Sequence, residues 1–109
     1  MSTVIRVAQV EDIPLGEGRS FAVGGRRVAV FRPRVGGIYA TQAECPHKNG
    51  PLADGLVGGT TVICPLHDRT YDLTTGAVLV GECNIAVYPV RVEDGAVLVS
   101  VPVAEAVAL

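Results

Sequence analysis

Turn-forming residues recur along this chain at intervals too short for helices of ordinary length. Thirteen glycines and seven prolines stand among the 109 residues, and pairs such as Gly24-Gly25 and Asp94-Gly95 separate short runs rich in Val, Ile, Tyr and Phe. Such runs suit half-buried strands, and Asp-Gly between two of them is a strong hairpin signal. The sequence therefore predicts an all-β domain, either an antiparallel β-sandwich or a small barrel.

Two segments do not fit the strand pattern. The stretch "QVEDIPLGEG" at 9–18 is expected to be a loop, and the tail "VPVAEAVAL" at 101–109 is expected to form a short helix or to fray. No internal repeat of the size of a structural unit is present. The whole chain, 1–109, is therefore expected to form a single domain.

Arginines cluster near the middle of the first half of the chain. Alternation along a strand would divide them between the two faces of a sheet. A solvated edge strand explains such a pattern, because charges at an edge discourage pairing with another chain. The residues concerned are Arg26, Arg27, Arg32 and Arg34.

Charge and hydropathy exclude several classes of partner. The net charge is −2 and the pI is near 5.6, which gives no basic surface for nucleic acid. Hydrophobic residues make up 49% of the chain, but no apolar run approaches the roughly 18 to 20 residues of a membrane span. The first residues do not have the pattern of a signal peptide, and three cysteines suit a reducing compartment. We expect a cytoplasmic protein that binds neither membrane nor nucleic acid.

Two similar short stretches carry the metal-binding residue types of the chain. "CPHKNGPL" begins at Cys45 and "CPLHDRTYD" begins at Cys64, and together they hold both histidines, His47 and His67. Each stretch is a Cys-Pro turn with a histidine two or three residues later. We expect two loop tips that meet in a lobe at about 44–72, inserted between base segments at about 3–43 and 73–103.

The mixture of ligand types restricts the metal. Thiolates and imidazoles favour zinc, copper or iron–sulfur centres over magnesium and calcium. A structural zinc site usually keeps like ligands together in the sequence, whereas here each loop supplies one cysteine and one histidine. That mixing favours a binuclear Rieske [2Fe-2S] centre, in which the two cysteines hold one iron and the two histidines the other. A structural zinc site is the alternative.

The spacing of these residues resembles that of the Rieske ferredoxin family. The stretches "CPHKNGPLADGLVGGTTVICPLHDRTYDLTTG" and "VYPVRVEDGAVLV" are most similar to the small subunit of assimilatory NAD(P)H-dependent nitrite reductase. That resemblance implies a one-electron carrier without a catalytic site of its own, bound to a large subunit that holds FAD, sirohaem and a further iron–sulfur cluster. Ferredoxins of aromatic-ring dioxygenase systems share the length and ligand spacing, and they are the second candidate, with another redox protein as partner.

The family resemblance also assigns roles to individual residues. It implies that Cys45 and Cys64 bind the inner iron and that His47 and His67 bind the outer, more exposed one. Tyr71 occupies a position where the family often has tyrosine, and its phenol is a candidate donor to a ligand sulfur, although a plain core aromatic explains it equally. Three further residues are expected beside the ligands: Pro46, Pro65 and Lys48. Cys83 is expected to be an ordinary free thiol.

The departures from the family indicate a low midpoint potential. High-potential respiratory members carry an extra cysteine in each cluster loop and a serine after the second histidine, whereas this chain has Gly50, Leu66 and Arg69 there. Loss of the loop disulfide and of a hydroxyl donor makes reduction less favourable. We therefore expect a midpoint in the lower part of the Rieske range, below about +150 mV.

Overall fold

The computed structural model describes residues 2–23, 25–46, 50–66 and 68–102. These residues form eleven strands in three antiparallel sheets, with two single-turn 3-10 helices at Val10–Asp12 and Leu52–Asp54. The strands are β1 (Ser2–Gln9), β2 (Glu17–Val23), β3 (Arg26–Arg32), β4 (Tyr39–Gln42), β5 (Leu56–Gly58), β6 (Thr61–Ile63), β7 (Thr70–Asp72), β8 (Val78–Val80), β9 (Val87–Tyr88), β10 (Val90–Glu93) and β11 (Ala96–Pro102). Neither helix in these ranges has the length and apolar character needed to cross a bilayer.

Two of the sheets pack face to face. One has the strand order β1-β11-β10 and the other β2-β3-β4-β9. Every second residue of β11 points into the space between them, namely Val97, Val99 and Val101, and there they meet Val28 and Val30 of β3. Strict alternation of this kind is what a strand shows when one face is buried. The expected all-β sandwich is confirmed by this arrangement.

Strand β3 lies between β2 and β4 and is buried on both faces. Val28 and Val30 face the sandwich core, while Ala29 and Phe31 face a second core that contains the cluster-loop cysteines. The expectation that the arginines mark an edge strand was therefore wrong. The continuous apolar run between them is typical of a strand covered on both sides, and the arginines lie at or beyond its ends.

The third sheet, with the order β5-β6-β7-β8, completes the second core. Val62 on β6 pairs with Tyr71 on β7, and both side chains are buried on the inner face. The loop that joins β6 to β7 carries Cys64, and the segment that follows β4 carries Cys45. The sheet thus forms one wall of a compartment whose opposite wall is the Phe31 face of β3.

The structure tests several of the local turn and loop predictions, and Gly24 of the predicted Gly24-Gly25 turn lies outside the described residues. Asp94 and Gly95 both have positive φ, at 51° and 80°, as a two-residue type I′ hairpin between β10 and β11 requires. The stretch 9–18, expected to be a loop, contains the last residue of β1, the helix Val10–Asp12 and the first two residues of β2. The tail belongs to β11 as far as Pro102, and residues 103–109 lie outside the described part of the chain.

Candidate metal centre

Two loops of the same design present the cysteines. The amide of Cys45 donates to the carbonyl of Gly50 over 2.7 Å, and the amide of Cys64 donates to the carbonyl of Arg69 over 2.7 Å. In both loops the hydrogen bond joins residues five positions apart, and in the sequence the histidine of each motif falls between the two joined residues. His47 and His67, with Lys48, are outside the described residues.

The two cysteines lie in the second core and are free of disulfide bonds. Both are fully buried, in a cluster with Leu52, Val62 and Tyr71. Burial raises the pKa of the Cys64 thiol, and the neighbouring Cys45 acts in the same direction, whereas the backbone at Leu66 acts against it. Only thiolates bind metal, so a bound cation would displace the thiol proton and offset the cost of burying negative charge on these sulfurs.

Tyr71 directly contacts one of these sulfurs. Its hydroxyl oxygen lies 3.0 Å from Cys45 Sγ, and the side chain is 1% exposed. Burial, reinforced by Cys45, holds the pKa of Tyr71 well above its usual range, so the phenol keeps its proton at physiological pH. Against a thiolate, only the hydroxyl can be the donor. Tyr71 is therefore both a core aromatic and a hydrogen-bond partner of the site.

Gly50 marks the place where the two loops approach each other. A β-carbon built on Gly50 would lie 2.8 Å from Cys64 Sγ and 3.1 Å from Leu66 Cγ. Real β-carbons are not found so close to a sulfur, so the position accepts only glycine without movement of the neighbouring loop. The absence of a side chain at Gly50 lets the sulfur of the second loop reach the first.

A third segment, residues 81–86, is hydrogen-bonded to the first loop and forms an ion pair with the second. The Gln42 side chain bridges it to the first loop, because Gln42 Nε2 donates to the Glu44 carbonyl (2.7 Å) while Oε1 accepts from the Ala86 amide (2.8 Å). Arg69 of the second loop pairs with Glu82 at 3.0 Å. Sequence reasoning did not identify Gln42 or Glu82, since neither belongs to a motif and their partners are distant in the chain.

Three other residues considered in the sequence analysis lie around this site, and all three are exposed. Pro46 and Pro65 are exposed on the two loops, and Cys83 is an exposed free thiol on segment 81–86. A cavity of about 50 Å³ separates this segment from the loops. The residues that line it are Pro46, Arg69, Tyr71, Glu82 and Cys83.

Similarity to known proteins identifies the cofactor. The family model described as a Rieske-like [2Fe-2S] domain matches residues 3–100. The chain belongs to this Rieske-like family. The buried, disulfide-free pair of Cys45 and Cys64 fits the sulfur side of such a cluster, for which thiolates are the natural ligands. The protein is thus a Rieske [2Fe-2S] electron carrier, and the zinc alternative receives no support.

Ferredoxins of dioxygenase systems and a protein described as a nitrite reductase small subunit are among those that resemble the chain. The ferredoxin component of the naphthalene 1,2-dioxygenase/salicylate 5-hydroxylase systems of Ralstonia sp is 35% identical over 92 residues, covering 83% of this chain and 88% of the relative. The ferredoxin of carbazole 1,9a-dioxygenase from Nocardioides aromaticivorans IC177 superposes with a TM-score of 0.81 at 31% identity, covering 89% and 96% of the two chains. A structure described as that of a nitrite reductase NADPH small subunit superposes with a TM-score of 0.80 at 27% identity, covering 89% of this chain and 97% of the other.

Proposed function

We propose that this protein is the ferredoxin component of an oxygenase system that hydroxylates aromatic rings, and that it carries single electrons from a reductase to the oxygenase. The observation that carries the proposal is the 35% identity to a dioxygenase ferredoxin component across most of both chains. The dioxygenase ferredoxin among the structures is also more similar in sequence than the nitrite reductase subunit, at 31% against 27%. The sequence resemblance favoured the nitrite reductase subunit, and this proposal reverses that order.

We further propose that Cys45 and Cys64 bind one iron and that His47 and His67 bind the other. The support is the repeated loop design, in which each cysteine amide is tied across its turn, together with the burial of both sulfurs. Replacing Cys64 with serine should abolish the content of two irons and two acid-labile sulfides per chain. Replacing Cys83, which is exposed, with serine is the matched control and should leave that content intact. Retention of the cluster in the Cys64 variant would refute the assignment.

The bound cluster supplies reversible one-electron transfer. The chain contributes a dry compartment on the sulfur side, where Leu52, Val62 and Phe31 exclude water. Tyr71 holds its proton on the phenol oxygen and directs it at Cys45 Sγ, which stabilises negative charge on that sulfur. The tied loops keep these contacts in place, so little reorganisation accompanies a change of charge.

A second candidate is the small subunit of an assimilatory nitrite reductase. It is favoured by the motif stretches "CPHKNGPLADG" and "YPVRVEDG". It is also favoured by the superposition, with a TM-score of 0.80, on a structure described as a nitrite reductase small subunit. In that case the chain would bind a large subunit carrying FAD, an iron–sulfur cluster and sirohaem. Catalysis of nitrite reduction would then belong to that subunit.

Affinity purification from the native source separates the two functions. We expect a transient complex with an oxygenase, and reduction of the purified protein by a flavin-dependent ferredoxin reductase at a rate that falls with salt. Stable co-purification with a subunit that contains flavin and sirohaem would instead establish the second candidate.

A midpoint potential well above about +150 mV would contradict the low-potential expectation in either case.

Two organisational predictions accompany this proposal. The lobe at 44–72 between base segments 3–43 and 73–103 is supported by the separate sheet β5–β8, although that sheet extends to Val80. Hydrogen exchange after cluster removal should show whether loss of protection stops at 72 or continues to 80.

A cytoplasmic location also stays a prediction, for which cell fractionation is the test.

A further inference from the structure

Arg69 lies on the second loop, one residue before β7, where it adjoins the sulfur side of the site. Its carbonyl accepts the Cys64 amide at 2.7 Å, and its side chain is only 21% exposed. The side chain borders the cavity of about 50 Å³ that Tyr71 and Pro46 also line. Because a guanidinium keeps its charge at every physiological pH, a permanent positive charge is held beside the cysteine loops.

Segment 81–86 determines where this charge lies. Glu82 Oε1 is 3.0 Å from Arg69 Nη2. Behind it, Gly81 packs so closely on the arginine stem that a β-carbon would lie 2.8 Å from Arg69 Cδ. The same segment is tied to the first loop through Gln42. The guanidinium is therefore positioned by segment 81–86, which is itself hydrogen-bonded to the first loop through Gln42.

The charge lies close to the groups that contact the proposed ligand sulfurs. Arg69 lines the same small cavity as Tyr71, whose hydroxyl is 3.0 Å from Cys45 Sγ, and the Arg69 carbonyl accepts the Cys64 amide at 2.7 Å. The field of Arg69 therefore favours negative charge at this site. Reduction brings one electron from the reductant and no atom, so the site becomes more negative by one unit.

We propose that Arg69 sets the midpoint potential of this carrier by stabilising the reduced state, with Glu82 holding the guanidinium in place and offsetting part of its charge. This inference rests on the ligand assignment and electron-carrier role proposed above. It assigns a redox function to a residue outside the ligand set and to its partner on segment 81–86.

Spectroelectrochemical titration of four variants tests the proposal. Arg69→Gln removes the charge and should lower the ratio of reduced to oxidised protein at a fixed potential about tenfold, equivalent to about 59 mV for one electron. Arg69→Lys keeps a charge and should retain most of the wild-type potential. Glu82→Gln removes a negative charge but keeps an oxygen that can accept from Arg69, and it should raise the ratio about twofold.

Arg91→Gln is the matched control. Arg91 also forms an ion pair, with Glu93 at 2.7 Å, but both side chains are more than half exposed and lie on β10 in the sandwich sheet. This variant should titrate as the wild type does. A purely structural role for Arg69 would lower thermal stability without the opposite shifts of the Arg69→Gln and Glu82→Gln variants.

The outcomes are separable from those of the proposed function. Iron and sulfide analysis of the wild type tests the cofactor, and a wild type without two of each would overturn both proposals. With the cluster present, equal potentials for Arg69→Gln and Arg91→Gln would overturn the role of Arg69, as would an Arg69→Lys shift as large as that of Arg69→Gln. If Arg69→Gln does not take up the cluster, the sign of the Glu82→Gln shift decides: an upward shift supports the role, and no shift or a downward one overturns it.

Discussion

At the scale of single residues, the hydroxyl of Tyr71 makes a direct contact with a proposed ligand sulfur. The oxygen lies 3.0 Å from Cys45 Sγ in a fully buried environment. A hydrogen bond from a neutral donor to a ligand sulfur stabilises the more negative, reduced state. Its position could not be read from the sequence, which left a core role equally plausible.

Replacing Tyr71 with phenylalanine should lower the midpoint potential. The ring remains to fill the core, while loss of a hydrogen bond of net value about 1 kcal/mol corresponds to roughly 40 mV for one electron. Potentiometric titration followed by visible absorption measures the shift. Tyr88→Phe is a control. The Tyr88 hydroxyl accepts from Arg26 within the sheet β2-β3-β4-β9, so its removal should not change the potential. Equal potentials for wild type and Tyr71→Phe would contradict the role of the hydroxyl.

Gly50 is the second residue on which the site depends. In Gly50→Ala the new methyl group would lie 2.8 Å from Cys64 Sγ, so we expect overpacking of about 1–3 kcal/mol and reduced iron content. Gly58→Ala is the matched control, since a β-carbon there meets nothing within 4 Å. Iron per chain and urea unfolding measure both effects. Full iron content and wild-type stability in Gly50→Ala would show that the loops can separate at no cost.

At the scale of structural elements, the turn after β7 is built around one carboxylate. Asp72 Oδ1 accepts from the Thr74 amide (2.7 Å) and from the Thr74 hydroxyl (2.6 Å). These two bonds, that from the hydroxyl foremost, lower the pKa of Asp72. A side chain that accepts from the backbone two residues on is a common way to begin a turn.

This turn makes part of the stability depend on pH. Because the folded-state pKa of Asp72 lies below the unfolded-state value, its stabilisation is complete at neutral pH and is lost as the pH falls through the folded-state pKa, below about pH 4. Thr74→Val should lower the free energy of unfolding by about 1 kcal/mol at pH 7, with the deficit shrinking in acid. Thr74→Ser keeps the hydroxyl and should resemble wild type. Urea titrations across this range measure the difference, and a constant deficit would exclude Asp72 as its source.

Elements defined by local turn chemistry were predictable, and those defined by pairing were not. The Asp94-Gly95 hairpin follows from residues that accept positive φ. The arginines that flank β3 suggest an edge strand, whereas its apolar run Val28–Phe31 is typical of a central one. Its central place arises from pairing with β2 and β4, which the local sequence does not encode.

At the scale of the whole molecule, the fold consists of two cores that share one strand. Val28 and Val30 of β3 belong to the sandwich, and Ala29 and Phe31 belong to the core that holds the cysteines. Strand β3 therefore connects the cluster site directly to the sandwich core. We expect the two cores to unfold together.

Removal of the cluster should destabilise the whole domain. Metal-site binding contributes several kcal/mol to folding, and each kcal/mol changes Tm by about 4–8 °C for a domain of this size, so chelation under reducing conditions should lower Tm by at least about 10 °C. Calorimetry of the protein with and without cluster measures this, and restoration of iron and sulfide should reverse it. An unchanged Tm would show that the cores are complete without the cluster.

The sequence alone determined the all-β class, the metal chemistry and the family, because turn residues, strand alternation and ligand spacing are local properties of the chain. It also located Cys45 and Cys64 on two loops, since a Cys-Pro turn with a nearby histidine is recognisable wherever it occurs. The tertiary structure alone decided the contacts of Tyr71, the approach at Gly50 and the Arg69–Glu82 pair across segment 81–86. These depend on strand order and register, which bring together residues distant in the chain through pairing and burial that no local pattern specifies.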